Sequence, residues 1–571
     1  MKKFLLYSLM ALAVMVCGFY ALIHQKASQT HAPALVGEET LLFLHCPDIR
    51  QSRTRWTNTA LYQIANEPEV RAFLEKPKGQ LPKAGEVRSR LHDFVLADPR
   101  EAFFALASVE KIPVFVAGAL CLGDKGKVDS ALAELTTTLQ SQWPQGQRGE
   151  TRYAGVSIQT FTQGKSAMAS AWVGRWILVS DDLGLIKKTI DRAQRNSTHG
   201  LLAENADYKK SLSHMPSHPE LITYLRPDEI AQGFASIQGK KTPLLSNSLA
   251  DLKQMRALCM GLKFDGENIR DAFFTLIDHP AKQPGLTRQS LQLTTSDTLV
   301  YFAGLMDLNR VADKMARLSQ STPAVPIAMA ALQAGLANQG ITLESLAAML
   351  GNEYGFAVDW PAVASQPSLM FSMDLKDRAM AAKTVQALTD GQMGGSWEHT
   401  KSAGSDLFTL SQLPMATPAL AITDKSLIFG SDAARVKSLT SSPAVGGGLA
   451  TTPPFKNAEK LLNKPTQSFG YIDSRALFER IYSTSRPLIM LWGGFNPTVR
   501  NAVDLNKLPP TETISKHLQP IAYSSSNLPD GLLMESIGPV TFTQTALVAG
   551  IGIGAAVVPI AKPYLGGRSS H

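Results

Sequence analysis

The chain has 571 residues, 44% of them apolar and 18% charged, and 56 Lys and Arg against 48 Asp and Glu give a formal net charge of +8. This composition belongs to a globular protein rather than a disordered one, and the length calls for more than one ordinary core. The positive excess is spread thinly, without a run of like charges or a basic stripe interleaved with aromatics, so nucleic acid is not expected as a partner.

The first element, residues 1–26, reads as a signal or anchor helix. Lys2 and Lys3 precede twenty uncharged, mainly apolar residues, Phe4 to Ile23, enough for a helix to cross a bilayer core of about 30 Å. The exit, Leu22-Ile23-His24-Gln25-Lys26, is a poor cleavage site. Cleavage near Ala32-Pro33-Ala34 and lipidation at Cys17 are the alternatives. The paired lysines place the N-terminus in the cytoplasm and the bulk of the chain outside it, in the periplasm, with the chain held at the cytoplasmic membrane. A mildly basic surface suits a protein beside an anionic membrane.

Self-similarity organises the interior into a first repeat, 36–279, and a second, 288–538. Thr40-Leu41-Leu42-Phe43 recurs as Thr298-Leu299-Val300-Tyr301. The helices opening at Asp124 and Asp374 correspond, as do Asp182 with Asp432, Tyr208-Lys209 with Phe455-Lys456, Tyr224 with Tyr471, and Asp265-Gly266 with Asp530-Gly531. All six matches fall in the same order at shifts of 247 to 265 residues. Each repeat opens with a strand and a helical region, followed by two apolar strands, in the first copy EAFFALASV and IPVFVAGALCLG. A helix with Val128, Leu132, Leu135 and Leu139 on one face comes next. Then come the alternating stretch TRYAGVSIQTF, a hairpin, a short helix through Leu183, Ile186 and Ile190, and a closing hairpin at Asp265-Gly266. The expected fold is α+β: two tandem copies of a mostly antiparallel sheet unit with helices packed on one face. His279 to Gly285 reads as the linker between copies, and Ser442 to Gly448 as a loop inside the second.

Residues 540–562 form a C-terminal apolar segment with a G-x-x-x-G pair at Gly550 and Gly554. It reads either as a transmembrane helix, with Lys562 and Arg568 inside, or as a buried or flexible tail.

No nucleophile elbow, zinc-binding helix, phosphate-binding loop or histidine pair at helical spacing occurs, so neither a cofactor nor a metal is expected, and no catalytic residue is assigned. Asp181-Asp182 sits at a helix entry and reads as capping. Cys46, Cys121 and Cys259 lie in apolar strands and read as buried thiols, with a Cys121–Cys259 disulfide or a reactive thiol as alternatives. One feature is not shared between the copies: Ser52-Arg53-Thr54-Arg55-Trp56. Arg53, Arg55 and Trp56 could meet an anionic ligand, peptidoglycan or lipid headgroups, or form an amphipathic helix with Trp56 half-buried and its arginines solvated.

Glu39-Thr40-Leu41-Leu42-Phe43, then Arg53 to Tyr62 with Glu69-Val70 and Phe73, resembles the large, exported, N-terminally anchored bacterial proteins that carry a domain of unknown function. That resemblance implies a fold and a location and no chemistry. The functional expectation is a membrane-tethered, non-enzymatic binding or scaffold ectodomain whose partners are the membrane and envelope proteins or anionic envelope polymers. The alternatives are an enzyme, such as a hydrolase, with a composite site between the repeats, and a carrier of apolar or lipid-like ligands.

Overall fold

The computed structural model describes residues 30–544 apart from 81–97, 110–111, 165, 198, 231–251, 279–284, 309–340, 391–396, 403, 411–416, 442–447 and 543. The N-terminal helix, the linker through residue 284, residues 442–447 and nearly all of the C-terminal apolar segment therefore lie outside the described residues.

Ten strands come from the first part of the chain: β1 (Thr40–Cys46), β2 (Pro99–Val109), β3 (Ile112–Cys121), β4 (Gln147–Tyr153), β5 (Val156–Gln163), β6 (Ser166–Val173), β7 (Trp176–Ser180), β8 (Leu221–Leu225), β9 (Met255–Asp265) and β10 (Asn268–Ile277). Ten more follow: β11 (Thr298–Leu305), β12 (Leu350–Asp359), β13 (Ser368–Leu375), β14 (Trp397–Ser402), β15 (Ser405–Leu410), β16 (Ala419–Ile422), β17 (Ser426–Gly430), β18 (Ser468–Ile472), β19 (Ile521–Leu528) and β20 (Gly531–Gly538). Hydrogen bonding orders the first ten as β4-β5-β6-β7-β3-β2-β1-β8-β9-β10. It continues as β20-β19-β18-β11-β12-β13-β17-β16-β15-β14. Each strand of the first part has its counterpart, ten numbers higher, at the mirrored place in the second.

Two parts of the sequence-based expectation are corrected. The sheet is not divided into two tandem units: β10 and β20 pair antiparallel from Ile269↔Gly538 to Leu276↔Gly531, making one sheet of 20 strands. The reason lies in the edges. A half ending on β10 or β20 would expose a row of unpaired amides and carbonyls, and each edge satisfies the other. Matching sequence stretches do not say which strand edges meet.

Nor do the helices keep to one face. On β2, Phe103, Ala105 and Ala107 point one way, into the core built with α3 (Leu183–Ala193) and α4 (Ala206–Leu212) through Leu185, Ile186, Ile190 and Tyr208. Ala102 and Phe104 point the other way. Ala102 packs with Ala119, Cys121 and Ile177 against Ile49 of α1 (Ile49–Trp56) and Val128 of α2 (Lys125–Gln142). The second part repeats this. α5 (Arg378–Asp390) brings Ala381 and Val385 to one face, while α6 (Ala433–Ser441) and α7 (Pro453–Glu459) bring Val436, Leu439 and Phe455 to the other. The near-continuous apolar run of β3 signals this two-sided burial, because a strand covered on one face alternates instead.

The alternating stretch Thr151–Phe161 folds as the β4–β5 hairpin, turned at Ala154 and Gly155 with φ of 51° and 77°. Two left-handed residues in succession match the right-handed strand twist, and this places Val156, Ile158 and Phe161 inward. The sheet ends outward on β4 and β14, which among the described residues pair only with β5 and β15. Every residue of β4 except Thr151 and Tyr153 is exposed, Arg148, Glu150 and Arg152 among them.

One interior detail differs between the parts. The rings of Tyr208 and Tyr224 meet edge to face at 5.2 Å, and both hydroxyls are buried without a hydrogen-bond partner. The place of Tyr208 is taken in the second part by Phe455, edge to face with Tyr471 at 5.1 Å. An orphaned buried hydroxyl costs about 1–3 kcal/mol. Tyr208→Phe is therefore expected to raise the unfolding free energy by about 1 kcal/mol, seen as a higher urea midpoint at unchanged m-value.

Candidate functional site

The sequence-selected residues sit on α1, whose start is fixed by Asp48: its carboxylate accepts a hydrogen bond from Gln51 N at 3.0 Å. Arg55 turns inward. Its Nη1 donates to Glu220 Oε1 at 2.9 Å and to the His218 carbonyl at 3.0 Å, and Ser52 Oγ donates to Glu220 Oε2 at 2.9 Å. Glu220 is buried just before β8, so Arg55 neutralises an interior charge. Trp56 is half-buried and packs on Phe264 of β9 at 5.4 Å and on Tyr62 at 6.3 Å. Arg53 alone of the three points to solvent. The helix thus brings together Arg55 with Ser52 and Glu220, and separates Arg53 and Trp56 from them.

A second constellation escaped the sequence reading. Glu101, on β2, is 2% exposed. It accepts from His45 Nε2 at 2.8 Å, Ala32 N at 2.8 Å and His31 Nδ1 at 3.2 Å. Burial alone would raise its pKa, but these donors override the burial and hold the carboxyl down at about 2. The same hydrogen bond and the carboxylate charge raise His31 above its ordinary 6.5. In the second part Glu353 of β12 is likewise buried and accepts from Thr287 N, Thr287 Oγ1 and Gln289 N, all at 2.8 Å. Each carboxylate fixes the segment that leads into the first strand of its part. The signal was an acidic residue at an inward place in an apolar strand, present in both parts of the chain.

Of the aspartate pair, Asp182 caps the helix as expected, while Asp181 instead ties the helix entry to β3. Asp182 Oδ1 accepts from Leu185 N at 2.6 Å at the start of α3, and Asp181 accepts from Phe115 N at 2.7 Å. In the second part Asp432 accepts from Ala434 N at 2.9 Å, and Ser431 Oγ accepts from Leu369 N at 3.0 Å. Cys46, Cys121 and Cys259 are free. Cys121 and Cys259 lie in cores on opposite faces of the sheet, which rules out a disulfide between them. Burial pushes all three thiols up to about 12, so they are unreactive at neutral pH.

Among the described residues no group of His, Cys, Asp and Glu could hold a metal. An open cleft of about 460 Å³ lies beside the entering chain, lined by His31, Pro33, Arg192 and Leu201 among others. His31 is engaged by Glu101, and Arg192 by Glu39 at 3.2 Å.

Comparison with known proteins adds little chemistry. A family model described as "Protein of unknown function (DUF3352)" matches residues 124–501. No curated protein matches the chain. Among solved structures, crystal form III of TP0453 is 8% identical and covers 45% of this chain and 84% of its own, and form I is 10% identical, with 45% and 82%. The TM-score of 0.25 in both cases is too low to carry an argument about fold.

Two outcomes are expected from this geometry. Arg55→Ala leaves Glu220 buried without its counter-charge and should cost on the order of 2 kcal/mol in a urea melt, whereas Arg53→Ala should change stability by less than about 0.5 kcal/mol. The Glu101 cluster should also impose a pH window. Glu101 is depressed from 4.5 to about 2, so its contribution is present above 4.5 and lost as pH falls toward 2. His31 is raised, so its contribution is present below 6.5 and lost as pH rises through its folded value. Wild-type stability should therefore exceed that of Glu101→Gln by most between these limits, and a constant difference at every pH would contradict the assignment.

Proposed function

The chain belongs to the DUF3352 family of proteins of unknown function, and we propose that it works as a membrane-tethered, extracytoplasmic binding or scaffold protein rather than an enzyme. One observation carries this reading: the buried carboxylates Glu101, Glu220, Glu353 and Asp359 are engaged in holding the chain together. Glu101 and Glu353 hold entering segments, Glu220 holds α1, and Asp359 accepts from Arg435 Nε at 2.7 Å and so ties α6 to β12. A catalytic site needs such groups free to face a substrate.

The architecture supports the scaffold reading as well. Twenty strands at about 4.8 Å spacing give a sheet contour of roughly 90 Å, a long platform for a protein of this size. The mirrored strand order and the aligned sequence stretches support an origin by duplication. Lys2, Lys3 and the apolar run Phe4 to Ile23 support a tether with the sheet outside the cytoplasm.

Alkaline phosphatase, which needs oxidising export to fold, tests the topology when joined after Gly538, the last residue of β20. The fusion is expected to be active and to stay in the membrane fraction through an alkaline carbonate wash. An inactive fusion at normal expression would reject the topology, and release by carbonate would reject the tether.

A further inference from the structure

Among the described residues, the largest concentration of exposed apolar side chains lies on one helix. α8 (Ser474–Phe495) leaves the end of β18 and is followed at once by α9 (Pro497–Ala502). Its first half is tied to the body: Tyr482 OH donates to the Pro509 carbonyl at 2.6 Å, and Arg486 Nη2 to the Leu508 carbonyl at 3.4 Å. Beyond Arg486 the helix projects. Leu488, Ile489, Met490 and Leu491 are 54%, 40%, 44% and 57% exposed, and Phe495 is 82% exposed. The end of α8 packs against the chain that follows α9, where a Cβ on Gly493 would collide with Leu505.

Two features identify what covers this tip. The first is the direction of exposure. Pro487 to Leu491 are five consecutive exposed residues, more than a turn of 3.6, so this stretch of the helix is apolar and open all the way round. A protein groove shields one face of a helix and selects residues three and four apart, whereas a fluid apolar medium surrounds the whole cylinder. The second is charge. From Arg480 to Phe495 the helix holds Arg480 and Arg486 and no acidic residue, so cations stand behind an apolar tip. That order, apolar outermost with cations behind, matches the depth profile of an anionic bilayer leaflet.

We propose that the α8–α9 tip inserts into the outer leaflet of the membrane that carries the chain, as a second and reversible point of attachment. The run Pro487–Phe495 makes roughly 14 Å of helix against an apolar core of about 30 Å, so it wedges into one leaflet without crossing. No helix among the described residues is long and apolar enough to cross. The inference rests on the membrane-tethered reading above, which supplies the bilayer.

The test uses the full chain carrying Cys17→Ala with Leu491→Cys or Phe495→Cys, each labelled with a polarity-sensitive nitrobenzoxadiazole. Half-buried Cys46 is removed in the same background as Cys46→Ser, and the buried Cys121 and Cys259 stay unlabelled at neutral pH. After reconstitution into phosphatidylethanolamine–phosphatidylglycerol vesicles, emission at both sites should shift to the blue and be quenched by lipids doxyl-labelled near the headgroup. A probe at Val363→Cys, 98% exposed in the native chain, should emit as in water. If the chain floats with the vesicles but the tip probes are quenched by aqueous iodide and not by doxyl lipid, the tip proposal falls and the tether stands. Protection from both quenchers would mean that protein covers the tip, which also overturns the proposal. If the chain does not float at all, the tether fails and this inference with it. In vesicles of phosphatidylcholine alone doxyl quenching should weaken, and equal quenching would overturn the role of the arginines in insertion.

Discussion

The ladder between β10 and β20 is the contact on which the rest of the structure depends. Each of these strands is the inner edge of its own ten-strand set, and each would be left with half its backbone groups unpaired if the other were absent. Eight residue pairs run along it, and the approach is close enough that Gly531 has no room for a Cβ against the Thr275 carbonyl. Side chains reinforce the seam. Partial burial disfavours the charge on Asp530, yet His214 at 3.2 Å and Lys210 at 3.5 Å hold its carboxyl below the ordinary range. The imidazole of His214 also stacks on Phe274 of β10 at 4.0 Å. Farther out, Glu67 accepts from His517 at 2.6 Å and Lys516 at 2.8 Å, joining early and late chain again.

With the seam fixed, the buried carboxylates become intelligible. A sheet covered on both faces has no wet side on which an entering segment could satisfy its own amides. Glu101 and Glu353 provide acceptors inside, and each costs desolvation that only a full set of donors offsets. The same economy explains Glu220, whose donors come from α1. Residues that look available for chemistry in a linear sequence are thus the residues that keep a two-faced sheet closed.

How much of this was legible follows from the range of each interaction. Helix entry at Asp182, the hairpin at Asp265-Gly266 and the inward set Val128, Ile186 and Ile190 depend on neighbours a few residues away, and periodicity and capping chemistry reveal them. The correspondence of Tyr208 with Phe455 and of Tyr224 with Tyr471 needed only self-comparison. The β10–β20 pairing joins residues some 260 apart in sequence, and nothing local in either strand names its partner. Arg55 was singled out as a cation beside an aromatic, but the carboxylate it serves lies 165 residues away. The apolar run from Leu488 to Leu491 could be read directly. What the sequence lacked was the knowledge that this run stays exposed among the described residues.

The charged strand β4 has a consequence for assembly. A sheet made by joining two inner edges is in principle open-ended, because the same rule that accepts a twentieth strand accepts a twenty-first from a neighbouring molecule. Growth must be stopped at the outer rims. Arg148, Glu150 and Arg152, exposed along β4, make an incoming strand desolvate charge at every step. On the other rim β14 carries Glu398, His399 and Lys401, all exposed. The polarity of the two margins is therefore what makes a self-joining sheet a finite object: the chemistry that welds the halves is confined to the middle, and the rims are built to refuse it.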